Sequence, residues 1–258
     1  MFEINNISYA IDNKSLVKDI SFSLKPKHFF GLLGANGAGK STILKLMLND
    51  LVIQQGSITI DNLALNQWPL TKLAQTVSVI YQHYETKANL TVLDVVLLGR
   101  IPYCNGFYQD CDYNQAIEAL KLVDAYKLID KAYPYLSGGE KARIQLARAL
   151  AQLMKPQISG YLLLDEPGAH MDSYYQKHTF ELLKDLTKNY NLSVMMIVHD
   201  LNLALQYLDE AILLKNGHMV TSGKIGHVLS DEHIYTAYQL ETKRVSFDHP
   251  PYQTIVSL

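Results

Sequence analysis

Short stretches of alternating apolar and polar residues near the N-terminus give way to longer apolar runs further along the chain. Residues 2–9 and 20–24 alternate in part and predict two strands, with a turn at 12–14. The apolar run 28–33 predicts a buried strand, and helical composition follows at 40–48. Similar patterns predict further strands at 56–60, 77–81, 161–165, 193–198 and 211–214.

The middle of the chain has a different character, because its apolar residues recur at helical spacing. This stretch, about 88–155, is expected to form a helical subdomain inserted between strands. Asn216 and Gly217 follow the last of the predicted strands and predict a tight hairpin turn. Strands that alternate with helical segments argue for an α/β core with a mainly parallel sheet.

The composition limits the classes of function. The 258 residues, 48% of them hydrophobic, are enough for one good-sized core. Lys and Arg number 23 against 25 Asp and Glu, a formal charge of −2, so the chain lacks the basic balance typical of nucleic-acid binders. No apolar run reaches the roughly 18–20 residues that cross a bilayer, and residues 1–6 do not resemble a signal peptide, so a membrane role is expected to come through a partner. Cys104 and Cys111 are expected to be reduced thiols of a cytoplasmic protein.

A glycine-rich loop directly follows the strand predicted at 28–33. Residues 34–41 match the phosphate-loop pattern G-x-x-x-x-G-K-[ST], with a strand before it and a helix after it. The glycines let several backbone N–H groups turn toward one point, and the helix N-terminus adds partial positive charge there. Lys40 is expected to reach the β- and γ-phosphates, and the Ser41 hydroxyl to hold Mg²⁺. The alternative is a strand-to-helix turn without a ligand, and the lysine and serine argue against it.

An acidic pair follows the apolar residues of the strand predicted at 161–165. Asp165 lies at the carboxyl end of that strand, where α/β sheets bind ligands, and would help to fix Mg²⁺ directly or through water. Glu166 would accept a proton from, or orient, the water that attacks the γ-phosphate. Taken alone, an apolar strand that ends in Asp-Glu-Pro is equally consistent with a solvated strand exit. The phosphate loop favours the catalytic interpretation.

A Ser-Gly-Gly-Glu stretch opens another predicted helix. Ser137, with Glu140 three residues later, has the pattern of a capping box. Capping alone does not call for Gly138 and Gly139, each of which costs about 1 kcal/mol in a helix relative to alanine. Two glycines there indicate that bare backbone approaches something closely, and a helix N-terminus with a serine hydroxyl suits a phosphate. Both interpretations are retained.

Together these motifs resemble those of the ATP-binding subunits of ABC transporters, and the resemblance covers essentially the whole chain. Residues 136–140 match the family signature at all five positions. The resemblance implies an α/β fold with a P-loop NTPase (RecA-like) core, an antiparallel β-subdomain and an inserted helical subdomain, which form a single ABC ATPase domain over 1–258. It also implies a homodimer whose copies pair head to tail. Each ATP then lies between the phosphate loop of one copy and Ser137 and Gly139 of the other.

Other positions acquire roles from the resemblance. Tyr9 corresponds to the aromatic residue that stacks on adenine, and a tyrosine in the core of its strand is the alternative. Gln82 corresponds to the glutamine that senses Mg²⁺ and the attacking water. His199 corresponds to the histidine that contacts the γ-phosphate.

Residues 168–172 occupy the position of the D-loop, with Asp172 as its aspartate. Here the chain departs from the family, because Gly168 replaces the usual Ser or Thr and Met171 replaces the common Leu. The departure leaves open what this loop contacts across the dimer, and it does not affect the ATPase interpretation.

The resemblance thus implies an ATPase whose ligands are ATP and Mg²⁺. The residues expected to take part in catalysis are Lys40, Gln82, Glu166 and His199. The residues expected to bind the nucleotide are Tyr9, Gly34, Ala35, Asn36, Gly37, Ala38, Gly39, Lys40, Ser41, Thr42, Ser137, Gly138, Gly139 and Asp172. The residues expected to hold the metal are Ser41, Gln82 and Asp165.

Residues 90–103 narrow the class of transporter. They include a Gly-Arg-Ile-Pro-Tyr stretch and resemble the segment after the glutamine loop in ATPases of bacterial iron-complex and cobalamin importers, where it would meet the coupling helix of the permease. An amphipathic helix ended by Gly99 and Pro102 is a simpler and compatible interpretation. The connection at 152–160 is similar to that of haem-importer and cobalamin-importer ATPases. These likenesses favour haem as the cargo, then a ferric siderophore, then cobalamin.

The partners and the location follow from the same resemblance. The expected partners are a second copy of the chain, integral-membrane permease subunits and, indirectly, a substrate-binding protein, and no nucleic acid is expected. The expected location is the cytoplasmic face of the inner (plasma) membrane, as a peripheral subunit.

Three other functions are weighed against this one. An ABC exporter subunit is opposed only by residues 99–103. A soluble ABC protein acting on ribosomes or DNA is opposed by the single set of motifs and by the lack of a long coiled-coil pattern. A regulator that binds nucleotide without hydrolysis is opposed by the presence of Lys40, Asp165, Glu166 and His199. The residues from 241 onward are expected to form a packed tail.

Overall fold

The computed structural model describes most of the chain, in the ranges 1–12, 14–81, 89–104, 106–155, 157–166, 173–248 and 251–257. The chain divides into two compact units. The first comprises Met1–Trp68 and Met195–Leu258, and the second comprises Pro69–Val194. None of the helices within the described ranges is both long enough and apolar enough to cross a bilayer.

Strands and helices alternate over much of the chain. The strands are β1 (Phe2–Ile11), β2 (Lys14–Leu24), β3 (Phe29–Gly34), β4 (Gln55–Ile60), β5 (Leu63–Ala64), β6 (Val77–Ile80), β7 (Met154–Lys155), β8 (Gln157–Asp165), β9 (Asn191–Ile197), β10 (Glu210–Lys215), β11 (His218–Lys224), β12 (Thr242–Asp248) and β13 (Pro251–Ser257). The α-helices are α1 (Lys40–Met47), α2 (Leu70–Ala74), α3 (Val92–Leu97), α4 (Asp110–Leu122), α5 (Gly138–Leu153), α6 (Ser173–Asn189), α7 (Leu201–Tyr207), α8 (Ile225–Val228) and α9 (Asp231–Tyr238). Short 3-10 turns occupy Leu65–Gln67, Leu98–Tyr103, Tyr126–Leu128 and Tyr133–Tyr135.

The first unit contains an antiparallel sheet with the strand order β2-β1-β4-β5. Phe2 on β1 pairs with Leu24 on one side and with Ile60 on the other. The apolar residues Phe2 and Ile4 alternate with more exposed ones and are almost fully buried, as expected for a strand with one face in a core. This sheet is the antiparallel subdomain expected from the sequence.

The same unit contains the parallel strands that lead to the phosphate loop. Strand β3, buried along its whole length, pairs in parallel with β10, so that Leu32 lies opposite Ile212. Strands β10 and β11 form an antiparallel hairpin. Its turn residues Asn216 and Gly217 have positive φ angles of 49° and 78°, as a tight hairpin turn requires. The hairpin predicted from the Asn-Gly pair is confirmed.

The C-terminal residues of the first unit, expected only to form a packed tail, contain two paired strands. Strands β12 and β13 pair in an antiparallel register from Thr242 opposite Ser257 onward. Asn202, on α7, anchors this hairpin, because its side-chain oxygen accepts hydrogen bonds from the Ile255 backbone N–H (2.6 Å) and the Thr254 hydroxyl (2.9 Å). Helix α7 therefore carries a β-hairpin that the sequence pattern did not predict.

The second unit combines parallel strands with helices. Strands β6 and β8 pair in parallel, with Val77 opposite Tyr161. Helices α3, α4 and α5 pack on one another, and their facing apolar side chains are buried. The buried apolar side chains of these three helices include Val92, Val95, Val96, Ala116, Ala119, Leu120, Ile144, Ala147 and Leu150. The helical character expected for this stretch is confirmed.

Candidate active site

The phosphate loop lies in the first unit, between β3 and α1. Its first residue, Gly34, ends the strand, and Gly39 immediately precedes the helix with a left-handed φ of 104°. A Cβ added at Gly39 would come within 2.7 Å of the Leu16 carbonyl oxygen, so that glycine is required here by both conformation and space. Within the described chain, no side chain caps the N-terminus of α1. The backbone N–H groups of the first turn therefore remain suited to an anion.

The tip of the phosphate loop is exposed, and its base is buried. Asn36 and Gly37 are exposed, whereas Ala38 is 2% exposed. A hydrogen bond of 3.1 Å from the Ala38 N–H to the Ala35 carbonyl closes the loop on itself. The Ala38 carbonyl in turn accepts a hydrogen bond of 3.0 Å from the N–H of Gly217, in the β10–β11 turn. The hairpin thus holds the base of the loop.

Lys40 lies at the start of α1 with its ammonium group turned onto the loop. Its Nζ donates to the carbonyl oxygens of Gly34 (2.8 Å) and Ala35 (3.1 Å), and the residue is only 6% exposed. Ser41 is exposed on the first turn of α1, and Thr42 beside it is half-buried. The arrangement brings one cation and one exposed hydroxyl to an uncapped helix N-terminus.

Tyr238 is a contact of the loop that sequence reasoning missed. Its hydroxyl accepts a hydrogen bond of 2.8 Å from the backbone N–H of Gly34. Burial raises the pKa of Tyr238 to about 12, against an opposing effect of the Gly34 N–H, so the hydroxyl is neutral at physiological pH. The sequence carries no signal for this contact, because the two residues lie 204 positions apart.

His199 leaves the sheet next to the strand that leads to the phosphate loop. The Val198 N–H donates to the Leu32 carbonyl (3.4 Å), and β9 and β3 are neighbours. His199 itself is exposed, and Asp200 caps α7 by accepting hydrogen bonds from the backbone N–H groups of the second and third helical residues. His199 and the loop therefore come from the same ends of adjacent strands.

Tyr9 lies on β1 opposite Val17, and its side chain is half-buried. It is thus not a fully enclosed core tyrosine, which was the alternative to the adenine-stacking role.

The acidic pair lies in the second unit, at the carboxyl end of β8. The strand before it is apolar and buried, with Leu162, Leu163 and Leu164 all at 0% exposure. Asp165 and Glu166 are half-buried, so the chain emerges from the core at these two residues. Glu166 has a left-handed φ of 49°, which is uncommon for a residue other than glycine, asparagine or aspartate.

The signature stretch opens α5 in the second unit, and its capping box is present. The Ser137 hydroxyl accepts a hydrogen bond from the Glu140 N–H (3.3 Å), and the Glu140 carboxylate accepts from the Ser137 N–H (2.8 Å). The hydrogen bonds from the Ser137 N–H and hydroxyl lower the pKa of Glu140. Ser137 and Gly138 are nevertheless exposed. Apart from its chain neighbours and the backbone of its own helix, a Cβ added at Gly139 would meet no atom of the described chain within 4 Å, so packing against those residues does not require this glycine.

Two residues of the Gly-Arg-Ile-Pro-Tyr stretch in the second unit, Gly99 and Arg100, contact α5. Arg100 is 3% exposed, forms an ion pair with Asp112 on α4 (3.0 Å) and donates to the Ala151 and Met154 carbonyls at the end of α5. Gly99 packs so closely on α5 that a Cβ would lie 2.2 Å from the Arg148 carbonyl oxygen. The charged residue of the stretch, Arg100, is therefore directed inward, whereas the apolar Ile101 is 55% exposed.

Several expected site residues lie outside the described residues. They are Gln82, Asp172 and the two positions that depart from the family, Gly168 and Met171.

Comparison with known proteins identifies the family. The model of the ABC transporter family matches residues 17–169. The hemin import ATP-binding protein HmuV of Methylobacillus flagellatus is 35% identical over 251 residues, which cover 97% of this chain and 93% of the relative. The protein of the same name from Pseudomonas fluorescens is 36% identical and covers 93% of both chains.

Solved structures give the same result. A protein described as a metal-chelate type ABC transporter, in an inward-facing conformation, superposes with a TM-score of 0.86 and 25% identity over 100% of this chain and 97% of the other. A dimeric bacterial ABC transporter cassette superposes with a TM-score of 0.75 and 26% identity over 87% of this chain and 99% of the other. The chain belongs to the ABC transporter family, and it is an ATPase of that family. The P-loop NTPase fold expected from the sequence is confirmed.

Proposed function

We propose that the chain is the ATP-hydrolysing subunit of a bacterial ABC importer whose cargo is an iron complex, with haem favoured over a ferric siderophore and cobalamin. The observation that carries the ATPase part is the uncapped N-terminus of α1 with Lys40 and Ser41 beside it. The support for the cargo is the name of the hemin import relatives, which align with nearly the whole chain.

The phosphate loop binds the phosphates of ATP in this proposal. The residues from Gly34 to Thr42 surround the phosphates with backbone N–H groups, and Lys40 moves from the Gly34 and Ala35 carbonyls to the β- and γ-phosphates. Tyr9 stacks on the adenine ring, which its half-buried position on β1 allows.

The available ligands fit Mg²⁺. The Ser41 hydroxyl is exposed on the first turn of α1, and the Asp165 carboxylate emerges at the end of β8. Both supply oxygen, the ligand atom that Mg²⁺ prefers, and Gln82 adds a further amide oxygen. When bound, Mg²⁺ would neutralise part of the phosphate charge that develops during hydrolysis.

Hydrolysis breaks the bond between the γ-phosphorus and the oxygen it shares with the β-phosphate, as a water oxygen forms a new bond to the γ-phosphorus. Glu166 accepts a proton from this water or orients it, together with Gln82. Lys40 and His199 stabilise the negative charge on the γ-phosphate oxygens. ADP and inorganic phosphate then leave.

The proposed assembly is a homodimer bound to two permease subunits at the cytoplasmic face of the inner membrane, and it works indirectly with a substrate-binding protein. Ser137, Gly138 and Gly139 of one copy contact the ATP held by the other, and Asp172 lies at the same interface. We also propose that residues 1–258 form a single ABC ATPase domain, with the helical subdomain at about 88–155. The relatives support this, since they align along nearly the whole chain.

Transport by the reconstituted complex tests the proposal. The chain, its permease subunits and its binding protein are placed in proteoliposomes with ATP on the side of the ATPase, and uptake of haem, a ferric siderophore and cobalamin is measured in parallel. We expect ATP-dependent uptake of haem above the other two cargoes, and none with a Lys40→Ala ATPase. Uptake of only cobalamin or a siderophore would overturn the preference for haem, and ATP-dependent export would overturn the import direction.

A further inference from the structure

Both the N–H and the carbonyl of Gly34 form hydrogen bonds with side chains. Its N–H donates to the Tyr238 hydroxyl at 2.8 Å, and its carbonyl accepts from the Lys40 ammonium group at 2.8 Å. The first of these contacts comes from the C-terminal part of the chain, which the proposed reaction does not otherwise use. The second comes from Lys40, which the proposed function directs to the β- and γ-phosphates.

Gly34 has little freedom apart from these hydrogen bonds. Its φ is 145°, and a Cβ at this position would lie 2.5 Å from the Leu214 carbonyl oxygen. It pairs directly with Leu214 on β10. The loop therefore starts at a fixed point on the sheet, and the direction of the Gly34 peptide sets the direction in which the loop leaves β3.

Tyr238 is the last residue of α9, and this helix is well anchored. Ile234 and Ala237 bury its inner face, at 0% and 4% exposure, and the Ser230 hydroxyl caps its N-terminus. Lys215, at the end of β10, donates to the Thr236 carbonyl at 2.6 Å. The tyrosine hydroxyl is thus fixed relative to the sheet that carries Gly34.

We propose that Tyr238 is a positioning residue for nucleotide binding, which keeps the Gly34 peptide in place when Lys40 leaves its carbonyl for the phosphates. The inference rests on the proposed ATPase function. The Lys40 ammonium group points at the Gly34 and Ala35 carbonyls, so turning it toward the β- and γ-phosphates weakens its hold on the Gly34 carbonyl. The hydrogen bond from Gly34 to Tyr238 does not involve Lys40, so in this proposal it preserves the phosphate-binding shape of the loop after Lys40 has turned.

The test removes the hydroxyl without changing the shape of the ring. In Tyr238→Phe, we expect the affinity for ATP to fall about three- to tenfold, which is the contribution of one neutral hydrogen bond, and kcat to stay within about twofold of the unchanged protein. Tyr235→Phe is the matched control, because Tyr235 lies on the same helix and is 55% exposed. Affinity is measured by titration of a fluorescent ATP analogue, and KM and kcat by phosphate release.

A merely structural role would lower the melting temperature and the active fraction of Tyr238→Phe but leave the affinity of the folded molecules unchanged. Equal affinities of Tyr238→Phe and Tyr235→Phe would therefore overturn the inference. Failure of the unchanged protein to bind or hydrolyse ATP would instead overturn the proposed function. If Tyr238→Phe does not fold, hydrogen exchange at the Gly34 amide of the unchanged protein is measured instead. Protection of this amide both with and without nucleotide supports the inference. Exchange at the rate of an unprotected amide overturns it.

Discussion

Glu166 has an unusual backbone conformation at the point where the chain leaves β8. Three fully buried leucines precede the acidic pair, and the side chains of Asp165 and Glu166 are half-buried where the strand ends. The left-handed backbone of Glu166 costs on the order of 1–3 kcal/mol for a residue of this type, and such conformations cluster at functional sites. A purely solvated strand exit does not call for this conformation.

Replacing Glu166 by glutamine tests its role in turnover. The amide keeps the size of the side chain but cannot accept a proton, so we expect kcat to fall at least about 100-fold while ATP binding is retained. Phosphate release and nucleotide titration are the measurements. Glu232→Gln, the same change at an exposed residue of α9, is the control and should hydrolyse ATP normally. Robust steady-state hydrolysis by Glu166→Gln would remove Glu166 from the catalytic role.

At the scale of elements, the buried ion pair of Arg100 and Asp112 joins α4 to the end of α5. The guanidinium of Arg100 also lies 3.9 Å from the ring centroid of Tyr103, whose hydroxyl donates to the Gln152 carbonyl at 2.8 Å. The Asp112 carboxylate accepts a further hydrogen bond from the Gln109 N–H at 3.0 Å. One arginine therefore satisfies the C-terminal carbonyls of the helix whose other end carries the signature residues.

Loss of this arginine should destabilise the chain strongly. Arg100→Met leaves a buried carboxylate without its cation and two carbonyls without a donor, so we expect the free energy of unfolding to fall by about 3–5 kcal/mol. The exposed pair of Lys121 and Glu118 supplies the control, since Lys121→Met should change the free energy of unfolding far less. Urea unfolding of both variants is the measurement. Equal losses in the two variants would show that burial does not distinguish the pairs.

The features that the sequence predicted are the ones built from neighbouring residues. The phosphate loop, the Asn-Gly hairpin and the capping box at Ser137 each depend on a few consecutive positions, so their patterns are visible in the chain. The contact of Tyr238 with Gly34 spans 204 positions, and the carbonyls held by Arg100 lie 51 and 54 positions away. No local pattern encodes such contacts. For the same reason, the resemblance of residues 90–103 to an importer segment was visible, and the inward role of Arg100 was not.

At the scale of the whole molecule, the exposure of the signature residues bears on the proposed homodimer. Ser137 and Gly138 are exposed, and the described part of a single chain leaves space beside Gly139 where a Cβ would otherwise lie. The capping box accounts for Ser137 and Glu140 but not for the glycines, each of which costs about 1 kcal/mol in a helix. Close approach of the ATP bound to another copy would account for the two glycines.

A dimer trapped by ATP is the expected consequence. Glu166→Gln is expected to bind ATP without hydrolysing it, so its mass in the presence of Mg²⁺ and ATP should be twice the 29.1 kDa of the single chain, as measured by light scattering. Adding Ser137→Arg should keep the protein at 29.1 kDa, since the longer side chain occupies the space for the other copy's phosphate. Ser137→Arg alone should bind ATP as a monomer and lose hydrolysis.

The control separates the dimer interface from simple loss of a helix cap. Thr91 caps α3 with the same kind of capping box, so Thr91→Arg loses a comparable cap, worth about 1 kcal/mol, at a helix without signature residues. We expect Thr91→Arg to keep its ATPase activity and its ATP-dependent dimer. If Ser137→Arg hydrolysed ATP like Thr91→Arg, or if Glu166→Gln stayed single with ATP bound, the nucleotide would not be shared between two copies. In that case the two signature glycines would need another explanation.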